Sequence, residues 1–373
     1  MHIETLLAHT GCLDDPETGA IVAPIHLSTT FHRNDDGTYP RGFIYSRDNN
    51  PTRNLFEQTL ALIEGGEDCT SFSSGMAATH AIIQALAPGS HVIIPDDVYH
   101  GLTNLADNMF GNWGISFDRA KMTNLDDIAQ RITPQTQLIW LETPSNPMLQ
   151  IADIRSITQL AKKHGVYVVV DSTWTTPLLQ KPLDLGADLV IHSVTKYLAG
   201  HSDVLGGAVV AKAHTPLSEA IRDIQKSCGA VMDPFSAWLT MRGMRSLSSR
   251  LKTQCQNAHA VAQFLAGHPL VEQVHYPGLS NHPGHSIAKL QMSHFGAMLS
   301  FQVIGKARRA FSVAAQTKIF QRATSLGGTE SLIEHRASIE PESSQTPENL
   351  LRLSIGLEYV NDLLQDLDSA LKD

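Results

Sequence analysis

At 373 residues, 42% hydrophobic and 17% charged, the chain can bury a sizeable core, which excludes an intrinsically disordered protein. Lys and Arg total 28 against 37 Asp and Glu, a formal charge of −9 with no dense basic run, so neither nucleic acid nor an anionic membrane surface is an expected partner. No apolar run approaches the ~20 residues that span a bilayer, Met1 opens no basic-then-apolar leader, and Cys12, Cys69, Cys228 and Cys255 form no CxxC pair; a cytoplasmic protein without disulfides or metal staples is expected.

The first 50 residues, rich in His, Thr, Gly and Pro, show little helical period and read as an extended arm. Amphipathic helices are predicted over Thr52–Ile63 and Ser74–Leu86. Short β-rich runs follow at His91–Pro95, Gln137–Leu141, Val166–Val170, Asp188–Ile191 and Gly207–Val210, with helical stretches such as Asp153–His164 between them. Continuous Val/Ile runs separated by helices suit a parallel sheet covered on both faces. After about residue 235 the rhythm changes. Pro234–Phe264 reads as long and helical, Ala297–Val303, Gln321–Leu326 and Leu350–Gly356 as shorter strands, and Val360–Leu371 as a closing helix. The expected architecture is α/β: an arm (1–50), a large domain with a mainly parallel seven-stranded-type sheet (51–235), and a smaller C-terminal α+β domain (236–373). Two stretches interrupt the last. His275–His294 is rich in Pro, Gly and His, and Ser338–Glu348 is acidic, serine-rich and expected to be an exposed, mobile loop.

The most informative segment is Asp188–Val210. Lys196 follows a strand directly, within Ser193-Val194-Thr195-Lys196, where an open α/β sheet forms its ligand crevice. Gly200, Gly206 and Gly207 then permit close backbone approach. A buried lysine there loses basicity and becomes a Schiff-base nucleophile; the bland alternative is a snorkelling surface lysine. Asp171 ends a strand 25 residues upstream and suits either a protonated pyridine nitrogen or a helix cap. Ser73-Ser74-Gly75-Met76 opens a helix, and the free N–H groups there suit a phosphate or an ordinary serine cap. Tyr99 suits stacking on a flat cofactor or core packing.

Together these features resemble the Cys/Met-metabolism family of pyridoxal-phosphate enzymes, the group of cystathionine γ-synthases and cystathionine lyases. Seven motifs stand in order: Tyr45-Ser-Arg47-Asp-Asn-Asn50-Pro51-Thr52, Ser74-Gly75-Met76-Ala77-Ala78, Glu142-Thr143-Pro144-Ser145-Asn146-Pro147, Asp171-Ser-Thr173, Ser193 to His201, Ser325-Leu-Gly327-Gly328, and Arg352-Leu-Ser354-Ile-Gly356-Leu-Glu358. The resemblance implies the aspartate-aminotransferase-like fold type I with pyridoxal 5'-phosphate as cofactor. It implies that Lys196 bonds the cofactor and shuttles protons, that Asp171 pairs with the pyridine nitrogen, and that Tyr99 stacks on the ring and assists. Gly75, Met76, Ser193 and Thr195 would hold the phosphate, and Tyr45 and Arg47 would reach it from a neighbouring subunit. A homo-oligomer, at least a dimer and by resemblance a tetramer built as a dimer of dimers, is therefore expected. Arg352 would grip the substrate α-carboxylate, with Asn146, Thr173 and Ser325 orienting substrate and cofactor.

The substrate shell departs from the family. Thr324 and Ile44 stand where many relatives carry acids, and His100-Gly101-Leu102-Thr103-Asn104 replaces the G-G-T-Y-R of γ-synthases. Glu334 to Glu340 replaces the M-T-H segment. Fewer acids are expected at the distal end of the pocket, and Arg336 either attracts an acidic leaving group or forms a surface salt bridge. No acid or cysteine completes a ligand set around His275, His282, His285 and His294, so no metal is expected. The expected activity is cystathionine γ-synthase-type replacement on an O-acyl homoserine by cysteine. Cystathionine β- or γ-lyase is the alternative, and a catalytically inactive binding or scaffold protein of the same fold the remote one.

Overall fold

The Val/Ile runs lie side by side. A computed structural model describes residues 1–12, 15, 17–340 and 346–372. Its larger sheet contains β1 (Asp68–Phe72), β2 (His91–Pro95), β3 (Ser116–Ala120), β4 (Thr136–Glu142), β5 (Tyr167–Asp171), β6 (Leu189–Ser193) and β7 (Gly207–Ala211). Their order across the sheet is β1-β7-β6-β5-β4-β2-β3. Strand β7 runs antiparallel to both its neighbours, and the other pairings are parallel. Alternate residues feed two cores, because successive side chains leave opposite faces of a strand. Val168 and Val170 join Phe56 and Leu60 on one side, while Val169 joins Ile82 and Ile94 on the other. Each face is covered, so the strands read as apolar throughout.

Capping sets where the flanking helices begin. Asn50 accepts from the N–H groups of Thr52 and Arg53, Pro51 occupies the first turn, and Gly65 at φ 79° ends helix Pro51–Glu64. Ser74 starts helix Gly75–Gln84 in the same way, its Oγ accepting from Ala77 N–H at 3.0 Å.

The smaller sheet has β8 (Val271–His275), β9 (Met298–Val303), β10 (Gln321–Arg322), β11 (Leu332–His335) and β12 (Leu350–Ser354), ordered β10-β11-β12-β9-β8. Several expectations need revision here. Pro234–Phe264 is two helices, Pro234–Met244 and Leu247–Ala266, broken at Arg245 and Ser246. Gln321–Leu326 contributes only two strand residues, Gln321 and Arg322, which pair with Leu332 and Ile333 before the chain leaves the ladder. His275–His294 holds a further helix, His285–Gln291. Of the Ser338–Glu348 loop, residues 341–345 lie outside those described. Among the described residues no helix is long and apolar enough to cross a membrane.

Candidate active site

Ligands of open α/β sheets sit beyond the carboxyl ends of the parallel strands. Five such ends converge on one cavity. β1 leads to Gly75 and Met76, β2 to Tyr99, β4 to Asn146, β5 to Thr173, and β6 to Thr195 and Lys196. The C-terminal part of the chain closes the cavity with Ser325 from the loop after β10, Arg336 from the turn after β11, and Arg352 from β12.

Lys196 sits in a tight loop. Its N–H donates to Ser193 O at 3.2 Å, its carbonyl accepts from Gly200 N–H at 2.8 Å, and Thr195 Oγ1 accepts from Gly206 N–H at 3.0 Å. The side chain alone is left to move. Its Nζ donates to Ser325 Oγ at 2.6 Å. Burial and the nearby Arg352 guanidinium lower the amine from 10.5 to about 8, against the opposing pull of Glu334. Ser325 holds a left-handed backbone that costs a non-glycine residue roughly 1–3 kcal/mol, and its carbonyl accepts from Arg352 Nη2 at 3.2 Å.

Asp171 accepts from Thr173 N–H at 3.0 Å. Burial pushes its carboxyl up, while the Thr173 hydrogen bonds pull it back. It has no salt bridge among the described residues. Glu142 faces it in register across β4 and β5 and accepts from Tyr99 N–H at 2.9 Å. Burial, reinforced by Asp171, drives Glu142 well above the usual carboxylate range. Asp171, on the cavity wall and in no salt bridge among the described residues, fits a protonated ring nitrogen.

The opposite end of the cavity fits a phosphate. Ser74 satisfies one N–H of helix Gly75–Gln84, and the first N–H groups have no intrahelical acceptor. A Cβ on Gly75 would lie 3.1 Å from Ser193 Cβ, and one on Gly207 would lie 2.3 Å from Ser74 O. Two glycines thus let the helix end, β6 and β7 close on one another. Tyr45 and Arg47 do not line this cavity. Tyr45 is 44% exposed, and Arg47 donates to Lys226 O at 3.0 Å with its guanidinium 5.6 Å from the Tyr45 ring centre.

Arg352 stands on β12 directly across from Glu334 on β11. Its Nη1 donates to Asn146 Oδ1 at 3.0 Å and its Nη2 to Glu334 Oε2 at 2.5 Å. Arg336, weighed above as a surface salt bridge, is instead 1% exposed and pinned between Glu334 and Glu340. The expectation of few acids also needs correcting. Thr324 lines the cavity as expected, but Ile44 and Asn104 do not. Glu142 lines the cavity, and Glu334 and Glu340 pair with Arg336 at its wall. Glu142 carried a signal in the sequence, since it ends its strand as Asp171 ends the next. Glu334 carried none, because its partners are 2 and 18 residues away and meet only in the folded sheet.

A family model described as Cys/Met metabolism PLP-dependent enzyme matches residues 4–372. The chain belongs to that family. Pyridoxal phosphate is its cofactor, and it acts on a sulfur amino acid or a close relative. This Cys/Met-metabolism enzyme is 47% identical to a cystathionine gamma-synthase of Mycobacterium tuberculosis over 373 residues, covering 98% of this chain and 96% of that protein. It is 41% identical to a cystathionine beta-lyase of Coxiella burnetii over 379 residues, covering 99% and 98%. A solved cystathionine gamma synthase from Xanthomonas oryzae, in complex with aminoacrylate and cysteine, superposes with a TM-score of 0.96 at 40% identity, covering all of this chain and 98% of the other. The enzyme thus has the fold of pyridoxal-phosphate trans-sulfuration enzymes, with a large, mostly parallel sheet and a smaller second one.

Proposed function

We propose that this trans-sulfuration enzyme performs γ-replacement of the cystathionine γ-synthase kind, in which an O-acyl homoserine loses its acyl group and cysteine sulfur adds. The supporting observation is the pairing of the acids around the cavity. Glu334 is tied to Arg352 and Arg336 and Glu340 to Arg336, while Glu142, which accepts from Tyr99 N–H, is pushed toward its uncharged form by burial and by Asp171. An ammonium at the distal end of cystathionine would meet no uncommitted carboxylate among these and would be left partly desolvated. An ester end carries no such ammonium.

The bound cofactor supplies an electron-withdrawing ring that makes carbons near the substrate nitrogen acidic. Lys196, with its lowered basicity, removes the α-proton and swings to serve the next carbon, assisted by Tyr99. Asp171 keeps the ring nitrogen protonated, and Thr173 orients that carboxylate. Gly75, Met76, Ser193 and Thr195 hold the phosphate. Arg352 binds the α-carboxylate through a planar fork that a lysine cannot imitate, while Asn146 and Ser325 fix its direction. Tyr45 and Arg47 serve the cavity of a neighbouring copy, which makes the working unit at least a dimer, and a tetramer if two dimers join. In this reading residues 1–50 are the exchanged arm, 51–235 the cofactor domain and 236–373 the domain that carries Arg352. The free cysteines suit a reducing cytoplasm.

Steady-state rates decide the reaction. Purified enzyme given an O-acyl homoserine and cysteine is expected to make cystathionine faster than it cleaves it. A clear preference for cleavage would make it a lyase.

A further inference from the structure

Asp97 lies two residues past the end of β2, in the loop that leads to Tyr99, and the steps above give it no task. Its side chain reaches the neighbouring loop, the one that leaves β4 and carries Asn146. Ser145 Oγ donates to Asp97 Oδ2, and the Met148 N–H also hydrogen-bonds to the Asp97 carboxylate. The carboxylate therefore grips the chain on both sides of Asn146. Ser145 Oγ, having given away its only hydrogen, accepts from Gln150 N–H at 2.9 Å. Ser145 N–H to Gln150 O at 3.0 Å and Leu149 N–H to Ser145 O at 3.1 Å close the same turn. What the turn presents is the Asn146 amide. Its Oδ1 accepts from Arg352 Nη1 at 3.0 Å, and a guanidinium offers donors only, so the Nδ2 hydrogens are left for the cavity that Asn146 lines.

We infer that Asp97 is a positioning residue whose negative charge locks the Ser145–Gln150 turn and, through Asn146, holds Arg352 ready for the substrate α-carboxylate. The inference rests on Arg352 as the α-carboxylate ligand and is indifferent to synthase or lyase chemistry. Hydrogen bonds to an ionised carboxylate are roughly twice as strong as those to a neutral group, so neutralising Asp97 loosens the turn. Burial pushes the Asp97 carboxyl up to about 6; Asp96 and Glu340 add to the rise, and the Ser145 and Met148 hydrogen bonds oppose it. The other ionisable groups nearby are Glu142 at the end of β4, whose own rise Asp97 reinforces, and Tyr99 and His100 further along the loop. Asp97 is charged above about 6 and neutral below it, so the grip on the α-carboxylate weakens as pH falls through that value.

L-alanine and ethylamine share an amine that can reach the cofactor and differ in the α-carboxylate. Their dissociation constants from holoenzyme, read from the absorbance of the bound cofactor, give an ethylamine-to-alanine ratio that reports carboxylate recognition alone. From about pH 5 to about pH 7 both free amines stay mostly protonated and the free carboxylate ionised, so the ratio moves only with groups of the protein. In the wild type it should fall ~5- to 20-fold from about pH 7 to about pH 5, part of the ~10- to 100-fold that a hydrogen bond to a charged group is worth. Asp97→Asn, isosteric and uncharged, should start ~5- to 20-fold lower and stay flat across the range. Ser145→Ala should lower the ratio less. If the asparagine variant fails to hold cofactor, the wild-type pH course and Ser145→Ala decide. A flat wild-type ratio, an Asp97→Asn ratio equal to it, or a pH course that survives in Asp97→Asn and vanishes in His100→Asn would overturn the inference while Arg352→Gln still lowers the ratio. A ratio unmoved by Arg352→Gln would instead overturn the reading of Arg352, and this inference with it.

Discussion

Stripping the cofactor from the enzyme and returning it at a series of pH values tests the buried amine directly. The neutral form of a lysine attacks an aldehyde, and an amine of ordinary basicity at 10.5 is neutral in ~3 of 10,000 molecules at pH 7. Lys196, lowered to about 8 by burial and by Arg352, is neutral in roughly one molecule in ten at that pH. The gap is ~300-fold in reactive amine. The sign follows from the chemistry. The nucleophile is present above its pKa, so the rate of uptake should climb as pH rises through about 8 and level off beyond it. Stopped-flow absorbance of the lysine-bound cofactor, followed from about pH 6 to about pH 10, measures this rate, and Lys196→Ala should show no such band. A rate still climbing tenfold per pH unit well above 8 would mean that the Lys196 site is wetter, or the arginine farther away, than described.

Lys196→Ala should abolish turnover while the thermal transition stays cooperative, because a small cavity is tolerated and a proton shuttle is not replaced; wild-type turnover without added amine would refute the assignment. Arg47→Ala should retain cofactor poorly, and mixing it with Lys196→Ala protein should restore part of the activity, since a hybrid dimer has one site with both residues intact. No rescue, with subunit exchange confirmed, would place Arg47 in its own chain's site. Gly207→Ala forces a Cβ to within 2.3 Å of Ser74 O, so stability measured by denaturant should fall by ~1–3 kcal/mol and phosphate retention with it. An unchanged midpoint would show that the helix end and β7 are not closely packed.

The sheet and its cofactor edge were legible because chemistry and pattern coincided. Val166–Val170 is apolar on both faces, and Asp171 breaks the run where the ligand crevice begins. Polar strands were not legible. Ser116–Ala120 lies at the sheet edge with most of its side chains exposed, and Val271–His275 borders the smaller sheet with Glu272 and Gln273 exposed. Neither shows the hydrophobic period from which strands are inferred. The break at Arg245 and Ser246 was hidden because both flanking helices continue the same apolar rhythm. Arg336 was misplaced for a different reason. A charged residue is read as exposed unless its partners are visible, and one of its two acids gains its meaning only through the cross-strand pairing of Glu334 with Arg352.

Synthesis on the ribosome meets the sheet order in an awkward sequence. Strand β1 pairs with β7 alone in the larger sheet, and β7 also separates it from β6. After Phe72 has been made, about 135 further residues must follow before Gly207 appears, a delay of roughly 7–27 s at ~5–20 residues per second. Throughout that interval β2 to β6 can assemble as parallel neighbours while β1 has no partner in the sheet. The helix that begins at Gly75 can already pack on β6, but β1, the strand that leads into it, is not yet held in the sheet. A nascent chain shorter than this therefore has its nucleophile before the strand leading into its phosphate cradle is fixed, and the arrival of one antiparallel strand, β7, joins the two.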